Sequence, residues 1–263
     1  MPTLDSNINS SPAINPVWRW AVPLFALILM AILWLTEANV PVFLWLNERL
    51  FLVGPELWNH LTILGEIGIV FMLPFFGRRP DITWQFVLAG LLATLWTNGL
   101  KSPLGVMRPP AVLHENFHII GPFLEQHSFP SGHTTTIFLL AGVLCLQAIN
   151  VRWKVLILLL ALLVGLSRIA CGVHWPMDVL GGMLGGWLAA VIGVALAKRW
   201  SVGEKLTVQR VFALIFLAAA IWFVAGYNSG QIGTNWLQYG LVLTSIAAAL
   251  PGFKRLFWVK PRN

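Results

Sequence analysis

The chain has 263 residues, of which 57% are hydrophobic and only 10% charged, with a mean hydropathy of +0.76. A soluble domain of this length has too little interior to hide that much apolar surface, so the composition excludes an ordinary water-soluble globule and points to a bilayer. The formal charge of +7 would suit nucleic acid, but the placement of the cations along the chain excludes that reading, as set out below.

A membrane-spanning helix needs roughly 20 mostly apolar residues to cross about 30 Å of hydrocarbon. Eight stretches qualify, at 18–35, 61–76, 84–100, 134–149, 155–170, 179–197, 211–225 and 236–250. The first has Arg19 at its start and no small-residue cleavage site after it, which predicts a retained span rather than a removed signal. The stretch 40–53 is interrupted by Asn47, Glu48 and Arg49 and reads as an interfacial helix. Gly181, Gly182, Gly185 and Gly186 in the sixth stretch predict close helix packing. The last two stretches hold no ionisable residue and are joined by the polar loop 227–235. They are expected to act as a lipid-facing buttress or a homodimer contact, with a wall of the substrate entrance as the alternative. Cys145 falls within a span and Cys171 at a span end, too far apart to pair. The expected fold is all-α: a polytopic membrane helix bundle, one domain over 1–263, with a six-span core at about 18–200 and two extra C-terminal spans at about 209–251.

If the chain crosses at each stretch, thirteen of the seventeen Lys and Arg residues fall on the side of the N-terminus, among them Arg78, Arg79, Arg152, Lys154, Lys260 and Arg262. Only Arg49, Lys101, Arg108 and Arg168 fall on the other. Positive residues collect on the cytoplasmic side, so both termini are expected there. The basic character is thus a topology signal, and no nucleic-acid partner is expected. All six histidines, His60, His114, His118, His127, His133 and His174, lie on the opposite face.

Three clusters meet at that face. The first runs from Lys101 to Arg108 and Pro109, the second is P-S-G-H from Pro130 to His133, and the third runs from Ser167 and Arg168 to His174 and Asp178. Lone Lys or Arg residues at span ends often only snorkel, but seven polar and charged groups converging on the cation-poor side define a site. Lys101, Arg108 and Arg168 offer permanent positive charge, and arginine forks match phosphate oxygens. Ser131 and Gly132 open a helix, whose free N–H groups favour an anion. The set suits a phosphoryl group. Asp178 is the sole carboxylate in the clusters, so no divalent-metal cage and no cofactor are expected. A zinc site of His133, His174 and Asp178 would be repelled by the adjacent cations. His174 and Asp178 stand four residues apart, one helical turn, which suits a nucleophile and the carboxylate that orients it; a helix-capping pair is the alternative. His133 is left to protonate the departing oxygen. The loop 110–129 carries Glu115, Glu125, His114, His118 and His127 over the site without assigned roles.

These clusters resemble the signature of the type 2 phosphatidic acid phosphatase and vanadium haloperoxidase superfamily, Lys-x6-Arg-Pro, Pro-Ser-Gly-His and Ser-Arg-x5-His-x3-Asp, matched at every position between Lys101 and Asp178. The resemblance implies a phosphohistidine at His174 assisted by Asp178, His133 as acid, and a phosphate held by Lys101, Arg108, Ser131, Gly132, Arg168 and Ser167, the last by resemblance alone. The expected activity is metal-independent hydrolysis of a lipid phosphate in a bacterial inner membrane, with the site on the periplasmic face. Undecaprenyl diphosphate is the favoured substrate, ahead of phosphatidate or phosphatidylglycerophosphate. A phosphotransferase acting on a lipid acceptor such as lipid A is the nearest alternative. A lipid transporter would need the cations but not the His–Asp pair facing a second histidine.

Overall fold

The computed structural model describes residues 16–113 and 115–258. His114 of the loop, and Lys260 and Arg262 of the charge count, lie outside the described residues. Among the described residues every regular element is helical: α1 (Pro16–Leu35), α2 (Asn39–Val53), α3 (Pro55–Glu66), a 3-10 segment (Gly68–Phe75), α4 (Pro80–Leu104), α5 (Pro109–Val112), α6 (Gly132–Cys145), α7 (Val151–Ala170), α8 (Pro176–Arg199), a 3-10 turn (Ser201–Glu204), α9 (Leu206–Ala225) and α10 (Asn235–Phe257).

Helices α1, α7, α8, α9 and α10 are long and apolar enough to cross a membrane, and the bent pair of α3 with segment Gly68–Phe75 adds a sixth candidate. Large apolar side chains point outward, among them Leu24, Phe25 and Ile28 of α1, Leu156 and Leu160 of α7 and Ile215 of α9. In water such a surface would aggregate; against lipid it is ordinary. The chain reads as a multi-pass membrane protein.

Three of the eight expected stretches take a different form. The stretch 61–76 is not one straight helix but bends by 53° after Glu66. Gly65 and Gly68 bracket the bend, where an added Cβ would come 2.9 Å from Cβ of His133 and 2.6 Å from Cγ2 of Thr136, so the bend lets α6 seat closely. The stretch 134–149 yields only the 14 residues of α6, about 21 Å long. The chain then turns, with the Gln147 amide donating to Gln85 at 2.8 Å and the Asn150 side chain capping α7. Helix α4 runs for 25 residues, past residue 100, and so carries Lys101 in its last turn. It closes at Gly105, whose φ of 53° is the left-handed conformation that glycine accepts most readily.

Helix α8 is central, packed against α1, α4 and α6. The expected glycine packing is present on two sides. Gly182 and Gly186 seat against the Ser131 and Thr135 carbonyls at the start of helix α6, and Gly181 and Gly185 against Phe129 and Trp96. Helix α2 is tied down by Asn47, which is fully buried. Its amide donates to the carbonyls of His118 and Ile169, each at 3.0 Å. Helices α9 and α10 pack on each other and on segment Gly68–Phe75. Cys145 and Cys171 are both buried free thiols, as their spacing predicts.

Candidate active site

The third cluster begins at the end of α7 and closes in the first turn of α8. His174 lies just before that helix rather than on it, and Pro176 occupies the first turn, where its missing N–H costs nothing. The one-turn reach between His174 and Asp178 survives: Nδ1 of His174 is 3.3 Å from Oδ2 of Asp178. The same oxygen accepts the Trp175 N–H at 2.8 Å and the Ser128 hydroxyl at 2.5 Å. The carboxylate therefore caps α8 and contacts the histidine ring with the same oxygen.

The other ring nitrogen identifies the tautomer. Nη1 of Arg108 is 3.1 Å from Nε2 of His174. A guanidinium has donors only, so Nε2 must accept and the ring proton sits on Nδ1, facing Asp178. Burial first, then the charges of Arg108 and Arg168, hold His174 well below the ordinary histidine range. The imidazole is neutral at physiological pH, with a nucleophilic lone pair on Nε2.

Arg108 is fixed by the carbonyls of Gln126, at 2.7 Å, Val173, at 3.0 Å, and His127, at 3.3 Å. The Trp175 indole donates to the Met107 carbonyl at 2.8 Å, joining the Arg108 segment to the start of α8. Arg168 is 3% exposed. Its Nη1 donates to the Thr62 hydroxyl, while Nε is buried without a protein partner. The Lys101 ammonium lies beside Gly132, whose absent side chain leaves the α6 N-terminus open to it. Ser131 caps α6, its hydroxyl oxygen accepting from the Thr134 hydroxyl at 3.0 Å. Ser167 is buried, and its hydroxyl donates to the Val164 carbonyl of its own helix at 2.6 Å, which leaves only its lone pairs for any other contact. No group of three or more His, Cys, Asp or Glu side chains converges among the described residues as a metal would need.

His133 faces a second carboxylate. Its Nε2 is 3.9 Å from Oε2 of Glu66 at the end of α3, and the Tyr227 hydroxyl, from the loop between α9 and α10, donates to Oε1 of the same residue. The three groups line one end of a cavity of about 350 Å³ whose walls include Met72, Ala93 and Leu139. His174, Arg108 and Arg168 are buried and Lys101 half-buried, while Gly132 and His133 line the cavity.

The profile of the PAP2 superfamily matches residues 82–202. The undecaprenyl-diphosphatase of Sulfolobus acidocaldarius is 30% identical over 156 residues, 57% of this chain and 75% of that protein. The crystallised LpxE of Aquifex aeolicus superposes with a TM-score of 0.56 at 30% identity, over 60% of this chain and 94% of that one. This chain belongs to the PAP2 superfamily. The lipid A 1-phosphatase of Rhizobium etli is 34% identical over 123 residues, 43% of this chain, and the match spans about half the length of that relative, 47%.

In this PAP2 protein the three expected clusters come together. The remaining loop histidines have structural partners. His118 stacks on Phe51 at 3.7 Å and meets Glu48 at 2.8 Å, and His127 contacts the Lys101 carbonyl at 3.3 Å. Glu66, Tyr227 and Ser128 lie outside the clusters read from the sequence. A glutamate inside an otherwise apolar stretch is a signal that leads to Glu66, since an ionisable group at that depth needs a partner.

Proposed function

We propose that this chain is a multi-pass lipid phosphatase that passes the phosphoryl group to Nε2 of His174 and then to water. The observation that carries the reading is the orientation of His174, with Nδ1–H held on Asp178 and the Nε2 lone pair turned toward Arg108. The lone pair attacks phosphorus, an N–P bond forms, and the P–O bond to the leaving group breaks as protonated His133 donates to the departing oxygen. Water then attacks phosphorus and gives its proton to His133. The N–P bond breaks, its electron pair returns to Nε2, and inorganic phosphate leaves. Lys101, Arg108, Arg168 and the open end of α6 at Ser131 and Gly132 stabilise the charge on the transferring group.

The favoured substrate is undecaprenyl diphosphate. Three fixed cations suit a headgroup of about three negative charges, and one relative bears that activity in its name. A lipid monoester is the second reading, favoured by the Glu66 carboxylate beside His133, which would repel a leaving group that is itself a phosphate. The deciding comparison is kcat/KM for undecaprenyl diphosphate against a glycolipid 1-phosphate and phosphatidate in one detergent. A tenfold advantage for the diphosphate, about 1.4 kcal/mol, is expected; a tenfold advantage for a monoester replaces the first reading with the second.

The charge pattern supports placement in a bacterial inner membrane with both termini cytoplasmic and the site periplasmic. Single cysteines at the exposed positions Asn116 and Ile232 are expected to react with an impermeant thiol reagent added outside spheroplasts, and one at exposed Lys205 is expected not to react. The reverse pattern would invert the topology.

A further inference from the structure

The extra helix pair does more than pack. We propose that Glu66, held by Tyr227 from the α9–α10 loop, is a positioning residue that aims His133 at the leaving group and favours its protonated form, so that α9 and α10 take part in the acid step. This rests on the reading of His133 as the proton donor.

The geometry divides the carboxylate between two partners. Oε1 takes the Tyr227 hydroxyl and Oε2 faces Nε2 of His133 at 3.9 Å. The Glu66 side chain is 11% exposed, and this cavity end is where its water access lies. The 3.9 Å separation is ion-pair reach, longer than a hydrogen bond. The loop that presents Tyr227 is itself fixed. Asn59 of α3 donates to the Ile232 carbonyl at 2.8 Å, the Tyr227 ring packs edge-on to Phe223 with centroids 5.1 Å apart, and Gln238 of α10 donates to the Phe223 carbonyl at 2.6 Å.

His133 needs such a partner. Burial first, then the charges of Arg168 from α7 and Arg108 from the loop before α5, push His133 down to about 4, and Glu66 from α3 works against them; the neutral His174 adds no charge. Two of the three charges are positive and oppose an imidazolium. Glu66 alone favours it. That carboxylate offsets the cations that bind phosphate and oppose the proton the acid must deliver. Tyr227 engages Oε1 and leaves Oε2 facing the histidine. In the second half of the reaction the same pair stabilises His133 as it takes the proton from water.

The test compares two phosphate monoesters in detergent. Dodecyl phosphate must expel an alkoxide and needs the proton; p-nitrophenyl phosphate expels a weakly basic phenolate and does not. Glu66→Gln keeps the size of the side chain and removes the charge. It is expected to slow dodecyl phosphate turnover about 100-fold and p-nitrophenyl phosphate turnover about threefold, and to move the alkaline limb of kcat for dodecyl phosphate to lower pH. Tyr227→Phe is expected to change both in the same direction, by about fivefold on dodecyl phosphate. Glu66→Asp should recover part of the loss. In a His133→Ala background, Glu66→Gln should cost nothing further on dodecyl phosphate, because it acts through the histidine. Equal losses on the two esters, or an added loss in the His133→Ala background, would overturn the proposal and leave Glu66 a packing residue. If His133→Ala itself slowed both esters equally, the assignment of the acid would fail instead.

Discussion

Replacing His174 with alanine is expected to lower turnover of any lipid phosphate by more than about 10⁴-fold while the protein stays folded in detergent. The covalent route needs the Nε2 lone pair of His174, which Asp178 backs through Nδ1. Alanine removes the acceptor of Arg108 Nη1, yet that atom also donates to the Val173 carbonyl, so the guanidinium keeps a partner and the loss of fold is small. Because burial and neighbouring cations hold His174 neutral, its contribution to the rate should persist as pH falls through the ordinary histidine range and disappear only below it, when Nε2 gains a proton. Denaturing the wild type in alkali during turnover should retain labelled phosphate on the protein, since a phosphoramidate survives alkali, and the alanine variant should retain none. Ten per cent residual activity in purified His174→Ala would sink the mechanism.

Replacing Arg168 with methionine should produce opposite signs in activity and stability. Arg168 is 3% exposed, has one guanidinium nitrogen on Thr62 and leaves Nε without a protein partner. Buried beside two further cations, it costs folding energy that a methionine of similar length would not. A donor aimed at a transferring phosphoryl group, by contrast, contributes about 10²–10³ in rate. The expected result is a kcat/KM lower by about 1,000-fold and a thermal midpoint in detergent that is unchanged or higher. Inorganic phosphate should then raise the midpoint of the wild type more than that of the variant, as ligand binding to the folded state does. A variant that lost stability and activity together would make Arg168 a structural residue.

Much of this site was legible because its chemistry is local in sequence: P-S-G-H and S-R-x5-H-x3-D each deliver several groups within one helical end, where N-caps and single turns obey rules that need no tertiary information. The glycines of α8 were legible for the same reason. What escaped was long-range. Glu66 and Tyr227 stand 161 residues apart and meet only because α10 and α9 lie along segment Gly68–Phe75. The bend after Glu66 was hidden because hydropathy averages over residues 61–76 and cannot register that Gly65 and Gly68 must yield to His133 and Thr136. The end of α6 at Cys145 was hidden likewise, since Gln147 and Asn150 form turn contacts that an apolar average does not see. The C-terminal pair, without a charge in either stretch, reads first as a buttress or dimer contact and second as a wall of the substrate entrance; the Tyr227 hydroxyl just beyond α9, on Glu66 and lining the cavity, favours the second.

The notched face of α8 has a further consequence for substrate range. Gly182, 2.6 Å from the Ser131 carbonyl for any added Cβ, and Gly186, against Thr135, bring two backbones into direct contact. His174 and Asp178 ride at the head of one of these helices, and Ser131, Gly132 and His133 at the head of the other. The gap that receives the phosphoryl group is therefore gauged by main chain, which cannot flex as side chains do. The lipid side is bounded by Met72, Ala93 and Leu139 around an open cavity, and Met is a residue that adapts its shape readily. The expected result is strictness about the group removed and tolerance of the tail, checked by comparing kcat/KM across lipid phosphates that share a headgroup and differ in chain length.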